Sequence, residues 1–136
     1  MDIISRLNVS DSIIELSGDS PTRLISPRYP CAYPININIK WIFTAEQANK
    51  VIVVHVVHFS LINQDKVTIG NGDDASISST VIANITSKMT RIRRITTMLS
   101  TMWITFESHR GVFYWEYGTG FVFDVQQTEN DTGGFS

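Results

Sequence analysis

The chain has a single cysteine, Cys31, among 136 residues. No disulfide can therefore form within it, and its stability has to come from packing. It also lacks a long apolar run. The longest, VIVVHVVHF at 51–59, is broken by His55 and His58 and falls far short of the roughly 20 residues a membrane-spanning helix needs. That excludes membrane insertion by such a segment, and the run reads as a buried strand. Neither sign of charge dominates: 11 basic against 13 acidic residues leave a net −2, too little to draw the chain to nucleic acid or an anionic membrane. The opening MDIISRLNVSDSIIELSG has no basic stretch followed by an apolar one, so it shows no signal peptide. No amphipathic helix is evident, and no Cys or Asp cluster accompanies the histidines to complete a zinc site.

What the chain does have is alternation. Ile13, Ile14 and Leu16 form a first short strand, followed by the turn-rich SGDSPT at 17–22. In SPRYPCAYPININIKW the prolines hold Tyr29 and Tyr33 in an extended, non-helical loop. A strand at 36–44 then sets Ile35, Ile37, Ile39 and Trp41 on one face and Asn36, Asn38 and Lys40 on the other. Along 51–61 the inward positions are Ile52, Val54 and Val56, then Phe59 and Leu61. Val67 and Ile69 alternate ahead of an Asn71-Gly72 turn and the loop DDASISS, and 81–85 is a short strand. Met102, Ile104 and Phe106 mark another strand, and Phe121, Phe123 and Val125 the last. Many short strands at this spacing predict an all-β sandwich or barrel. The expected domain spans 1–125 with its core at about 13–125, and 126–136, without a hydrophobic pattern, is expected to be a flexible tail.

The order of these pieces resembles the CUB domain, an extracellular two-sheet β-sandwich with a jelly-roll-like strand arrangement. The family's Ser-Pro-x-Tyr-Pro loop, second Tyr-Pro and Asn-rich strand reaching tryptophan are matched by Ser26, Pro27, Tyr29, Pro30, Tyr33, Pro34, Asn36 and Trp41. Its alternation into Phe-x-Leu is similar to Val54, Val56, Phe59 and Leu61. Its Asp-x-Leu-x-Ile-x-Asp-Gly is similar to Asp65, Val67, Ile69, Asn71 and Gly72. Met102, Ile104, Phe106 and Ser108 resemble Leu-x-Leu-x-Phe-x-Ser, and Gly118, Gly120 and Phe121 resemble Gly-x-Gly-Phe. The family's two disulfides have no counterpart, since Ile39 stands where its second cysteine sits. The resemblance also raises calcium, with Asp65 similar to one ligand. The expected glutamate falls near Ile62 and the later aspartate near His109, so Glu107 and Asp73, with Asp74, are the substitute ligands. One matching carboxylate is few for an ion that takes six to eight oxygens.

The remaining residues have bland readings beside sharp ones. Cys31 could be a nucleophile with His55 or His58 as base, but those two are expected on opposite strand faces, and an intermolecular disulfide through Cys31 is the stronger reading. Lys88, Arg91, Arg93 and Arg94 read as a solvated face. FYWEYG at 113–118 sets Phe113 and Trp115 on one face and Tyr114 and Glu116 on the other; one face reads as core, and any aromatics left exposed would form a binding patch, core and interface carrying equal weight. Sequons stand at Asn8, Asn84 and Asn130. The resemblance implies a non-enzymatic, extracellular protein-recognition module cut from a larger secreted or membrane-attached protein. Its expected surface comprises the Tyr29 and Tyr33 loop, an acidic loop from Asp65 to Asp74, and the turn carrying His109, Tyr114 and Tyr117. Nucleic acid is not an expected partner. Self-assembly into a homo-oligomer, or a hydrolase on an all-β scaffold, are the alternatives.

Overall fold

A computed structural model describes residues 2–4, 12–62, 64–88, 94–109 and 118–129. Its strands are β1 (Asp2–Ile4), β2 (Ser12–Glu15), β3 (Thr22–Ile25), β4 (Asn38–Thr44), β5 (Lys50–Ser60), β6 (Lys66–Asn71), β7 (Val81–Thr86), β8 (Arg94–Thr96), β9 (Thr101–Glu107) and β10 (Gly120–Glu129). They form two five-stranded sheets, one ordered β1-β3-β10-β5-β8 and the other β2-β4-β9-β6-β7. The fold is thus the expected two-sheet β-sandwich. Among the described residues no helix is long and apolar enough to cross a membrane.

The alternating positions named from the sequence, joined by Phe43, meet between the sheets. Ile39, Trp41 and Phe43 of β4, Ile52 and Val54 of β5, Val67 and Ile69 of β6, Met102, Ile104 and Phe106 of β9, and Phe121, Phe123 and Val125 of β10 are all buried. Burial of each large side chain contributes about 1.5–3 kcal/mol, which is where a chain without bridges finds its stability. The aromatic rings interlock. Phe121 stacks on Phe123 at 4.6 Å between centroids and takes Phe106 and Trp41 edge-on at 5.2 and 6.0 Å.

A β-bulge in β5 changes one inference drawn from alternation. Val122 pairs with His58 while Phe123 pairs with Val56, so Val57 is the extra residue and is 52% exposed. Inward parity therefore passes from Ile52, Val54 and Val56 to Phe59. The same bulge brings His55 and His58 onto one outward face, opposite Asp124 and Val122, instead of opposite faces.

Three further boundaries differ from the sequence reading. β1 and β3 were not foreseen, and β3 is short, with Thr22 and Leu24 inward and Arg23 paired outward to Asp124 at 2.8 Å. β4 begins at Asn38, because Asn36 has a left-handed φ of 55° that no strand continues through, and Ile35 is 55% exposed. Residues 72–80, read from the sequence as the Asn71-Gly72 turn and the loop DDASISS, form one connection closed by a 3₁₀ turn at Ser78–Thr80. Finally β10 runs to Glu129, so 126–129 are strand and not tail, paired with residues 50–53 of β5. Gln127 explains the last difference. It is 4% exposed, and its side chain donates to Gly18 O (3.0 Å) and Glu46 Oε1 (2.9 Å) and accepts from Glu46 N–H (2.8 Å). Polar residues hid a buried position.

Gln127→Ala would leave those backbone groups without their side-chain partner in a part-buried site. We expect a loss of about 1–3 kcal/mol in chemical denaturation; a change within error would mean that β10 ends functionally at Val125.

Candidate functional site

The strand directions place the 26–37, 61–65, 87–88, 108–109 and 118–119 loops at one end of the sandwich, and 45–49, 72–80 and 97–100 at the other. At the first end the Tyr-Pro loop is threaded between the β5–β6 and β9–β10 connections. Asp65 is its hub. The carboxylate is 1% exposed, and Oδ2 accepts from the Tyr33 hydroxyl at 2.5 Å while Oδ1 accepts from His109 N–H at 2.7 Å. The Tyr33 oxygen in turn accepts from Ile62 N–H at 3.1 Å. Tyr33 is 6% exposed, and its ring meets Phe106 edge-on at 5.0 Å. Burial and the hydrogen bond to Asp65 push the phenol far above its ordinary value of 10.0.

The serines and glycines of the quoted motifs acquire roles here. Ser108 Oγ donates to Pro34 O at 2.6 Å and accepts from Ile37 N–H at 3.1 Å. Ser26 Oγ accepts from Phe121 N–H at 3.0 Å. Gly120, at φ +100°, lies so close to Ser26 that a Cβ would fall 1.8 Å from Ser26 Oγ; at Gly118 it would fall 2.3 Å from Ser60 O. The Gly-x-Gly spacing is thus needed where β10 passes the Tyr-Pro loop. Sequence reasoning named these positions only as motif members, since nothing local shows what they touch.

Tyr33, Asp65 and His109, three of the expected recognition residues, therefore come together. Tyr33 and Asp65 are buried and shape the surface without lining it, while His109 is exposed and held by its backbone. Tyr29 is half-buried against His58, 5.7 Å between centroids, and His58 Nε2 lies 3.1 Å from Thr119 Oγ1. Cys31 is exposed on the same loop, its N–H donated to Arg28 O at 2.7 Å. Tyr114, Tyr117, Asn8, Asn130, Arg91 and Arg93 lie outside the described residues.

The substitute calcium ligands do not converge. Asp65 precedes β6 and Asp73 follows it, about 20 Å apart at the rise of an extended strand, so the acidic 65–74 stretch belongs to two ends of the molecule. Glu107 pairs with Lys66 at 3.6 Å. Asp74 accepts from the Ser76 hydroxyl and N–H at 2.5 and 3.0 Å, which draws its carboxyl below the ordinary range. Asp65 has a donor on each oxygen and Ile62 and His109 for neighbours. Among the described residues no three His, Cys, Asp or Glu side chains gather to hold a metal. The described residues do not fit the ion.

A family model, CUB domain, matches residues 15–119. Among solved structures, the chain is similar to the CUB1-EGF-CUB2 domains of rat MASP-1, at 21% identity and TM-score 0.70 over 90% of this chain and 45% of that one. It is similar to the full extracellular region of zebrafish Gpr126/Adgrg6, at 19% identity and TM-score 0.69 over 90% of this chain and 15% of that one. A third likeness is to the MASP-1 CUB2 domain bound to Ca2+, at 16% identity and TM-score 0.64 over 83% of this chain and 96% of that one. At these identities the likeness is one of fold, and the chain spans less than half of the first two structures.

Three outcomes test this reading of the hub. Thermal unfolding should give the same Tm in millimolar calcium and in chelator; a calcium-dependent rise lost in Asp65→Ala would restore an ion site. Tyr33→Phe should cost about 1–3 kcal/mol by unmaking one buried and one part-buried hydrogen bond. Because the folded phenol holds its proton more tightly than the unfolded one, stability is retained below pH 10 and falls as pH rises past it. Tyr33→Phe should flatten that alkaline slope in urea titrations.

Proposed function

The chain belongs to the CUB domain family, and from that premise we propose that it is a non-enzymatic, extracellular protein-recognition module whose partner docks on the loop end built around Asp65. The observation that carries this reading is the internal bracing of that end. Hydrogen bonds from Tyr33, His109, Ser108 and Ser26 tie together loops that are far apart in sequence. Side chains on this end, His109, Arg28 and Tyr29 among them, are thereby presented on a pre-organised surface, which lowers the ordering cost of binding.

The charge of the end indicates the partner's chemistry. Arg28 and Lys88 are exposed on its described loops, whereas the only carboxylate on those loops, Asp65, is buried and bonded. A surface of this kind suits an acidic patch on the partner, with Tyr29 and His109 as contact residues. In the ion-mediated arrangement raised by the resemblance, carboxylates grip a basic partner, so the polarity here is reversed. The exposed Cys31 supports a second reading, a homodimer linked through this loop. Such a dimer would dissociate on adding reductant and would be absent in Cys31→Ser.

We expect a multivalent probe of the domain, screened against purified extracellular ectodomains, to give hits that weaken with salt. These should fall at least about tenfold, or 1.4 kcal/mol, in Arg28→Glu with His109→Ala. Hits untouched by these changes but lost in Lys66→Ala would move the interface to the sheet face and overturn the assignment.

A further inference from the structure

Among the described residues, the four sheet edges of the sandwich are not equally protected. An edge strand offers unpaired backbone groups to any other chain, and proteins guard it by keeping it short or charged. β1 is three residues long with Asp2, β2 four with Glu15, and β8 three with Arg94. β7, the terminal strand of the second sheet, is six residues long, reads Val-Ile-Ala-Asn-Ile-Thr, and carries neither charge nor proline. Its composition is that of a strand that adds to another β-edge.

That unguarded edge is also the one that contains a sequon, Asn84-Ile85-Thr86. Ile85 is fully buried while Asn84 is exposed on the outward face. Asn84 Oδ1 accepts from Thr68 Oγ1 at 3.1 Å, which directs the amide oxygen toward β6 and the opposite lobe, Nδ2, away from it. Beyond Thr68 the outward face is an open groove of about 610 Å³ lined by Lys40, Lys66, Thr105 and Glu107 over Trp103, along which a sugar chain can lie. A bulge between Ile69 and Gly70 disturbs the β6–β7 pairing at the other half of the strand, so that half has some protection of its own.

We infer that Asn84 carries an N-linked glycan and that this glycan is the guard of the β7 edge, keeping the domain monomeric. The inference rests on the extracellular reading, because the modification is made in the secretory pathway. It adds a function for a face that the loop-end partner does not use, and it opposes edge-to-edge assembly through β7.

The test uses the full chain behind a heterologous secretion signal in mammalian cells, with Asn8→Gln and Asn130→Gln as background so that any glycan reports on Asn84 alone. We expect a glycosidase-sensitive mobility shift of one glycan, lost in Asn84→Gln and in Thr86→Ala. Sedimentation of the secreted proteins should show a monomer with the glycan and concentration-dependent association in both variants. Asn84→Lys, which replaces the glycan by a charge on the same edge, should return to monomer. An unmodified Asn84 in folded, secreted protein overturns the inference, as do glycan-free variants that stay monomeric. The attached signal brings the chain to the modifying enzyme whatever its natural address. The extracellular reading would fail separately, through a chain that stays inside its native host's cells.

Discussion

A carboxylate removed from water has to be met by donors, and Asp65, 1% exposed, is met by two that come from opposite directions along the chain. Tyr33 reaches it from the loop before β4, and the His109 backbone from the connection after β9. Much of the surrounding architecture follows from that requirement. For the Tyr33 hydroxyl to arrive, the Tyr-Pro loop must cross over the end of the sandwich, and Tyr33 N–H donates to Gly118 O at 3.3 Å on the way. For the loop to lie there, β10 must enter as glycine beside Ser26 and Ser60. The Tyr33 ring then closes the end of the aromatic stack on Phe106.

The hub is one of a few buried polar contacts that hold the two sheets in place. No disulfide is available to a chain with one cysteine. Cohesion therefore divides between the apolar layer, which is non-directional and sets overall stability, and a few buried polar contacts that set geometry. Asp65 with Tyr33 orders one end. Gln127 with Glu46 and Gly18 orders the opposite end, where β10 runs past Val125 alongside β5.

The outward faces are shaped by departures from regular alternation. The extra residue at Val57 turns His58 toward Tyr29 and Thr119 and places it on the same face as His55. Gly70 makes room for the Trp103 ring, which lies outside the inter-sheet layer and donates to Thr80 Oγ1 at 3.2 Å. The long 72–80 connection is thereby packed down against the second sheet. Irregular positions thus join loops to faces that a regular sandwich would leave flat.

Local pattern was enough to identify the all-β class, the inward rows of β4, β5, β6, β9 and β10, and the order of motifs shared with the CUB family, because strand periodicity and burial are written residue by residue. It could not show β3, where four residues carry too short a period, or the last turn of pairing in β10, where glutamine is buried through partners at residues 18 and 46. It also assigned His55 and His58 to opposite faces, since a bulge is a property of two strands and not of one. For the candidate site, the sequence by itself determined the residue types: a lone aspartate in the motif order, two Tyr-Pro pairs, a Phe-x-Ser and a Gly-x-Gly. Only the tertiary structure decided that Asp65 and Asp73 stand at opposite ends of one strand, that Tyr33 is a strut while His109 is surface, and that the carboxylate's oxygens face donors. Those outcomes depend on contacts between residues tens of positions apart, and no spacing along the chain encodes which of them will meet.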